Sequence, residues 1–111
     1  MENDCRKELS SMRMGTTPTI SCKLDIDMDL TDCENVRLII SQNRMTKLIK
    51  DKDELIIKKN IVQAHLTQEE TFLFEHGGAD IQVRLKLLDG EAYATNIKRI
   101  DIFRSLDNEV I

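Results

Sequence analysis

Apolar and polar side chains alternate strictly near the end of the sequence. Ile81, Val83, Leu85 and Leu87 are separated by Gln82, Arg84 and Lys86. A period of two belongs to a strand with one buried face. Asp89-Gly90 follows, a pair suited to the positive backbone angles of a two-residue primed turn, and an extended run returns from Glu91. The pattern predicts an antiparallel hairpin with about ten residues per arm, at the long end of ordinary strands. In the return arm Tyr93, Thr95 and Ile97 share one phase, whereas Ile100 and Ile102 share the other. One extra residue near Lys98 and Arg99, a β-bulge, would reconcile them.

The same period recurs upstream. Residues 19–26 alternate without error, and Pro18, with its fixed φ and missing N–H, marks the entrance to that strand. Residues 27–34 form a polar connection. Val36, Leu38 and Ile40 then share a face. A turn is expected at 41–43, leading into a strand over 44–50, with another turn at 51–53. Two short strands are predicted over 55–58 and 61–66, around Lys59-Asn60. Strand signals about every 8–12 residues point to an all-β sandwich or barrel rather than to βαβ units.

One segment breaks the rhythm. Thr67 followed three residues later by Glu70 reads as a capping box, which predicts a short helix of one or two turns near residues 67–74. Gly77-Gly78 is expected to end it and launch the hairpin. Residues 1–14 hold five charged groups in the first eight positions and no β pattern. They are expected to form a flexible tail, helical at most around 5–12, before a domain over 15–104 and a segment over 105–111. Met12 and Met14 are alternative start sites.

At 111 residues the chain suits one domain, large enough to bury a core without a metal or disulfide. Sixteen basic and twenty acidic residues leave a net charge of −4, which argues against a nucleic-acid surface. Aromatics make up 4% with no tryptophan, so stacking platforms are scarce. Cys5, Cys22 and Cys33 are scattered and form no CxxC pair, so neither a zinc site nor a redox motif is expected. Cys22 falls on the apolar side of its strand, where a thiol acts as a small hydrophobe. Synthesis in a reducing cytoplasm is expected. No signal-peptide pattern opens the sequence, and no run approaches the ~20 apolar residues of a membrane helix, so a soluble protein without a membrane partner is expected.

Candidate chemistry is sparse. Asp25, Asp27 and Asp29 open like a calcium loop, but Leu30 and Val36 occupy the positions that need glycine and glutamate, so solvated carboxylates are expected. His65 is opposite in phase to Val62, Ala64 and Leu66 and should face solvent. His76 adjoins the glycine pair in a turn. Lys47, Lys50, Lys52, Lys58 and Lys59 alternate with acids and read as a solubilised edge that discourages stray strand pairing. No catalytic, cofactor or metal residue is expected. Phe72, Leu73 and Phe74 should plug the bottom of the core, or else Phe72 and Phe74 anchor an interface. Phe103, Leu106, Val110 and Ile111 lie past or at the end of the last strand and form the other candidate interface.

Three stretches together carry a resemblance. They are residues 12–19 (Met-Arg-Met-Gly-Thr-Thr-Pro-Thr), residues 66–71 (Leu-Thr-Gln-Glu-Glu-Thr), and residues 80–90 with a return ending in Glu109, Val110 and Ile111. In order and spacing they resemble small phage and prophage proteins encoded among tail genes of Gram-positive hosts. They are also similar to the immunoglobulin-like N-terminal domain of phage upper baseplate proteins. The likeness covers residues 12–111. It implies an immunoglobulin-like antiparallel β-sandwich of about seven strands, with the short helix crossing between the sheets. It further implies a virion structural or assembly role without catalysis or cofactors. The implied partners are copies of itself and neighbouring tail proteins, in a homo-oligomer within the particle. Such a protein is made in the host cytoplasm and then enters the virion. The larger baseplate proteins continue into host-binding domains that have no counterpart here, so direct host recognition is not expected. Two other readings compete. A free β-sandwich binding a carbohydrate or protein ligand would need an exposed aromatic platform, and Tyr93 is the sole tyrosine. A small enzyme would need an apolar pocket with converging polar groups.

Overall fold

The computed structural model describes residues 11–111. In chain order its strands are β1 (Ser11–Arg13), β2 (Thr19–Lys23), β3 (Asn35–Gln42), β4 (Met45–Lys50), β5 (Ile56–Lys58) and β6 (Ile61–His65). A short helix, α1 (Gln68–Thr71), precedes β7 (Gly77–Lys86), β8 (Ala92–Ala94) and β9 (Lys98–Phe103). The larger sheet runs β1-β9-β7-β3-β4, with β8 also paired to β7, and the smaller runs β2-β6-β5. All pairings are antiparallel except β1 with β9. After β1, the strands take the places of B, C, C′, D, E, F and G in the immunoglobulin scheme, with B-E-D facing G-F-C-C′. The fold is an immunoglobulin-like β-sandwich. Among the described residues nine strands stand against the expected seven, because β1 is added and the last strand is split into β8 and β9.

Alternation in the sequence becomes alternation of burial. Val36, Leu38 and Ile40 from β3 meet Ile81, Val83 and Leu85 from β7 across the ladder, and Ile20, Cys22, Val62 and Ala64 face them from the smaller sheet. Each fully buried Val, Leu or Ile contributes about 1.5–3 kcal/mol. That aliphatic filling stands where antibody domains place a tryptophan and an inter-sheet disulfide. Cys22 is a buried thiol on β2, and Leu38 occupies the middle of β3.

Four local expectations differ from the structure. Ser11–Arg13, expected in the tail, form β1 beside β9. Met12 is buried, and the Met14 N–H donates to Phe103 O at 2.8 Å. A single apolar residue between polar neighbours leaves no periodic signal, so only the long-range pairing reveals the strand. The rest of the expected tail, residues 1–10 with Cys5, lies outside the described residues.

The hairpin after β7 closes with three loop residues rather than two. Leu87 N–H donates to Glu91 O at 2.8 Å, Gly90 N–H donates to Leu87 O at 3.0 Å, and Gly90 has φ +92°. Asp89 stays out of the left-handed region and instead accepts from Glu91 N–H at 2.9 Å. The result is a tight turn followed by a left-handed glycine, the usual three-residue loop. Two consecutive left-handed residues occur between β3 and β4, at Asn43 (φ 53°) and Arg44 (φ 64°).

The extra residue of the return arm is present but sits upstream of Lys98. Arg84 faces Ala94, whereas Ile81 faces Lys98, so the offset arises within 95–97. Thr95 causes it: its N–H donates to Val83 O at 2.9 Å and its Oγ1 accepts from Val83 N–H at 3.0 Å. A side chain thereby completes the ladder and frees the next backbone to bulge.

Finally, Gly77-Gly78 does not end the helix. α1 stops at Thr71, and the two glycines open β7. The Arg99 guanidinium crosses over Gly78, where a Cβ would stand, and as the far end of a long side chain it can swing aside, so the contact does not demand glycine.

Candidate docking groove

One pole of the sandwich collects the link from α1 to β7, the end of β9 and the segment 104–111. The capping box sets it up. Thr67 Oγ1 accepts from Glu70 N–H at 3.1 Å, and Glu70 Oε1 accepts from Thr67 N–H at 2.9 Å. The other carboxylate oxygen, Glu70 Oε2, lies 2.6 Å from Lys50 Nζ, tying the helix to β4. Burial raises the Glu70 pKa, but Lys50 and the Thr67 N–H outweigh it and hold the carboxyl below its ordinary range.

Two glutamines then act as pieces of backbone. Gln42 Nε2 donates to Glu75 O at 2.7 Å while its Oε1 accepts from Glu75 N–H at 2.7 Å. Gln68 does the same for Ile111, accepting its N–H at 2.8 Å and donating to its carbonyl at 3.0 Å. Arg13 Nη1 donates to Arg104 O at 2.8 Å, and Ser105 Oγ donates to Met14 O at 2.6 Å. These bonds fold the segment 104–111 back over α1.

Between the segment and the helix lies a groove of about 850 Å³. Met14, Phe72, Phe74, Leu106 and Val110 form its apolar surface, and Glu69, Glu75, His76 and Arg104 its rim. Of the six expected interface residues, four come together here: Phe72, Phe74, Leu106 and Val110. Phe74 is buried and serves as floor and Phe72 is half-buried, whereas Leu73, expected in the core, is exposed because the chain leaving α1 turns it outward. Phe103 and Ile111 stand apart from the groove lining. The Phe103 ring lies 5.9 Å from that of His76, with the Arg13 guanidinium 5.6 Å from its centre. Met14, Glu69 and Glu75 were not expected at a site. Only Met14 left a trace in the sequence, as an apolar residue before Gly15.

The remaining candidates lie elsewhere. His65 is exposed, as its phase implies, with Nδ1 3.0 Å from Thr19 Oγ1. Asp25, Asp27 and Asp29 are exposed. Asp29 caps a 3-10 turn at Leu30–Asp32, accepting from Thr31 Oγ1 at 2.7 Å and Thr31 N–H at 3.0 Å, which lowers its pKa. Among the described residues no group of three His, Cys, Asp or Glu side chains could hold a metal ion. The lysine run is only partly a solubilised edge. Lys47 lies at a bulge between the pairs Ile40–Leu48 and Ser41–Thr46, which protects the open side of β4. Lys50 instead turns inward to Glu70, and Lys52 Nζ donates to Thr31 O at 2.8 Å and Cys33 O at 2.7 Å.

Comparison with descriptions of protein families and with curated sequences returned no match. Among solved structures, CopC from Methylosinus trichosporium OB3b is similar, with a TM-score of 0.54 at 6% identity, covering 89% of each chain. That likeness is one of fold alone. Murine CRIg aligns with a TM-score of 0.47 at 12% identity, over 95% of this chain and 99% of its own.

Proposed function

We propose that this chain is a non-catalytic structural or assembly component of a phage or prophage tail, in which the groove pole docks on a second copy of the chain. The observation that carries this reading is the placement of exposed apolar side chains beside the groove. Leu106 is 102% exposed and Val110 49% exposed, on the wall of a recess floored by Phe72 and Phe74. Grouped apolar exposure of this kind marks an interaction surface. The pole carries both protrusions and a recess, and both acidic and basic rim groups. A two-fold contact requires such self-complementarity, because the same patch serves both partners. Repetition in an assembled particle then turns modest contacts into lasting ones.

The tail context comes from the resemblance over residues 12–111. Under it, synthesis occurs in the host cytoplasm, incorporation into the virion follows, and neighbouring tail proteins are further partners. Sedimentation velocity across a dilution series tests the association. The expected result is a mass rising from 12.8 kDa towards twice that value as concentration increases. A mass fixed at the monomer value throughout would overturn it.

A further inference from the structure

At the opposite end of β7, Arg37 and Arg84 face each other directly across the β3–β7 ladder, both on the outer side of the sheet. Like charges in that position destabilise a sheet. The next pair outward is Asn35 with Lys86, and the neighbours on the far side are only Ala94 and Ala92. These small residues leave a cleft of about 170 Å³ lined by Asn35, Arg37, Arg84, Lys86 and Ala92. Two of the three cations are answered. Arg37 Nε lies 2.7 Å from Asp51 Oδ1, and Lys86 Nζ lies 3.4 Å from Glu34 Oε2. Among the described residues Arg84 meets no carboxylate. Three cations against two carboxylates leave one positive charge, on an exposed guanidinium at the mouth of the cleft.

We infer that Arg84, with Arg37, Lys86 and Asn35, binds one carboxylate of an acidic segment on a partner protein. A guanidinium presents parallel donors that match the two oxygens of a carboxylate. Asp51 engages Arg37 through Nε, so the terminal nitrogens of Arg37 remain for a second acceptor. One leftover positive charge matches a singly charged carboxylate, whereas a phosphate would bring nearly twice the charge beside Asp51 and Glu34. The site lies about 30 Å from the groove along β7, so it holds whether or not the groove pole self-associates.

The test is an NMR titration of the full chain with the capped peptide acetyl-Ala-Glu-Ala-amide, its glutamine counterpart, and inorganic phosphate. The expected result is saturable shifts in the amides of residues 84–86 and 92–94 with the glutamate peptide alone, weakened about tenfold by Arg84→Gln. The same variant should melt about 1–4 °C higher at low salt, because an opposed like charge is removed. Equal response to the glutamine peptide, tighter binding of phosphate, or an unchanged affinity in Arg84→Gln would overturn the assignment. A lower melting temperature in Arg84→Gln would show that Arg84 serves the fold instead.

Discussion

Gln42 and Glu75 exchange two hydrogen bonds, each 2.7 Å long, although 33 residues separate them. The buried side-chain amide of Gln42 satisfies both backbone groups of Glu75, as a neighbouring strand would. This joins the end of β3 to the link that floors the groove. Gln42→Ala should therefore cost about 1–3 kcal/mol, because it strands a backbone N–H and carbonyl. Urea unfolding of the variant checks this. Gln42→Glu should not rescue the loss at neutral pH, since it buries a carboxylate oxygen against the Glu75 carbonyl.

Glu70 makes stability depend on pH in a defined direction. Burial raises its pKa, but Lys50 and Thr67 outweigh that and hold it below the ordinary carboxylate range in the folded state. The contribution is fully present above the unfolded pKa and is lost as pH falls through the folded one. Unfolding midpoints measured from pH 6 down to about pH 3 should fall less steeply in Glu70→Gln than in the wild type. Parallel slopes would contradict the ion pair.

Thr95 determines where the last strand bulges. Thr95→Val keeps the shape but removes the acceptor for Val83 N–H, a loss of about 1–3 kcal/mol. Thr95→Ser retains the oxygen and should stay much closer to the wild type. Thermal melts of the two variants distinguish the hydroxyl from packing.

Much of this fold was legible, for reasons that particular residues make plain. β3 and β7 bury one face each over eight and ten residues, so their period is unmistakable. The Thr67–Glu70 capping box is local and was readable as a motif. By contrast β1 has one buried residue, Met12, and exists through pairing with β9. The site of the bulge depends on which hydroxyl reaches the ladder, and phase alone shows only that a residue is extra. The same holds for the groove. Phe72, Phe74, Leu106 and Val110 were visible as apolar residues outside the strand pattern. Their assembly depends on Gln68 reaching Ile111, 43 residues away, which no spacing rule reveals.

Gly15 is the hinge between β1 and the groove floor. Its φ of +81° disfavours any side chain, and an added Cβ would lie 2.9 Å from Phe72 Cζ. Gly90 shares the backbone constraint, with φ +92°, but has nothing within 4 Å. Both alanine variants should lose about 1–2 kcal/mol from the left-handed backbone. Gly15→Ala should lose more, and only it should shift the Phe72 ring resonances.

The central claim is that the groove pole is where copies of this chain meet. Sedimentation equilibrium of the double variant Leu106→Asp, Val110→Asp beside the wild type tests it most directly. Both positions are exposed, so the variant should melt within about 2 °C of the wild type. The account predicts association in the wild type and its loss, by at least about tenfold, in the variant. Equal self-association in the two proteins would place the contact elsewhere and contradict the claim.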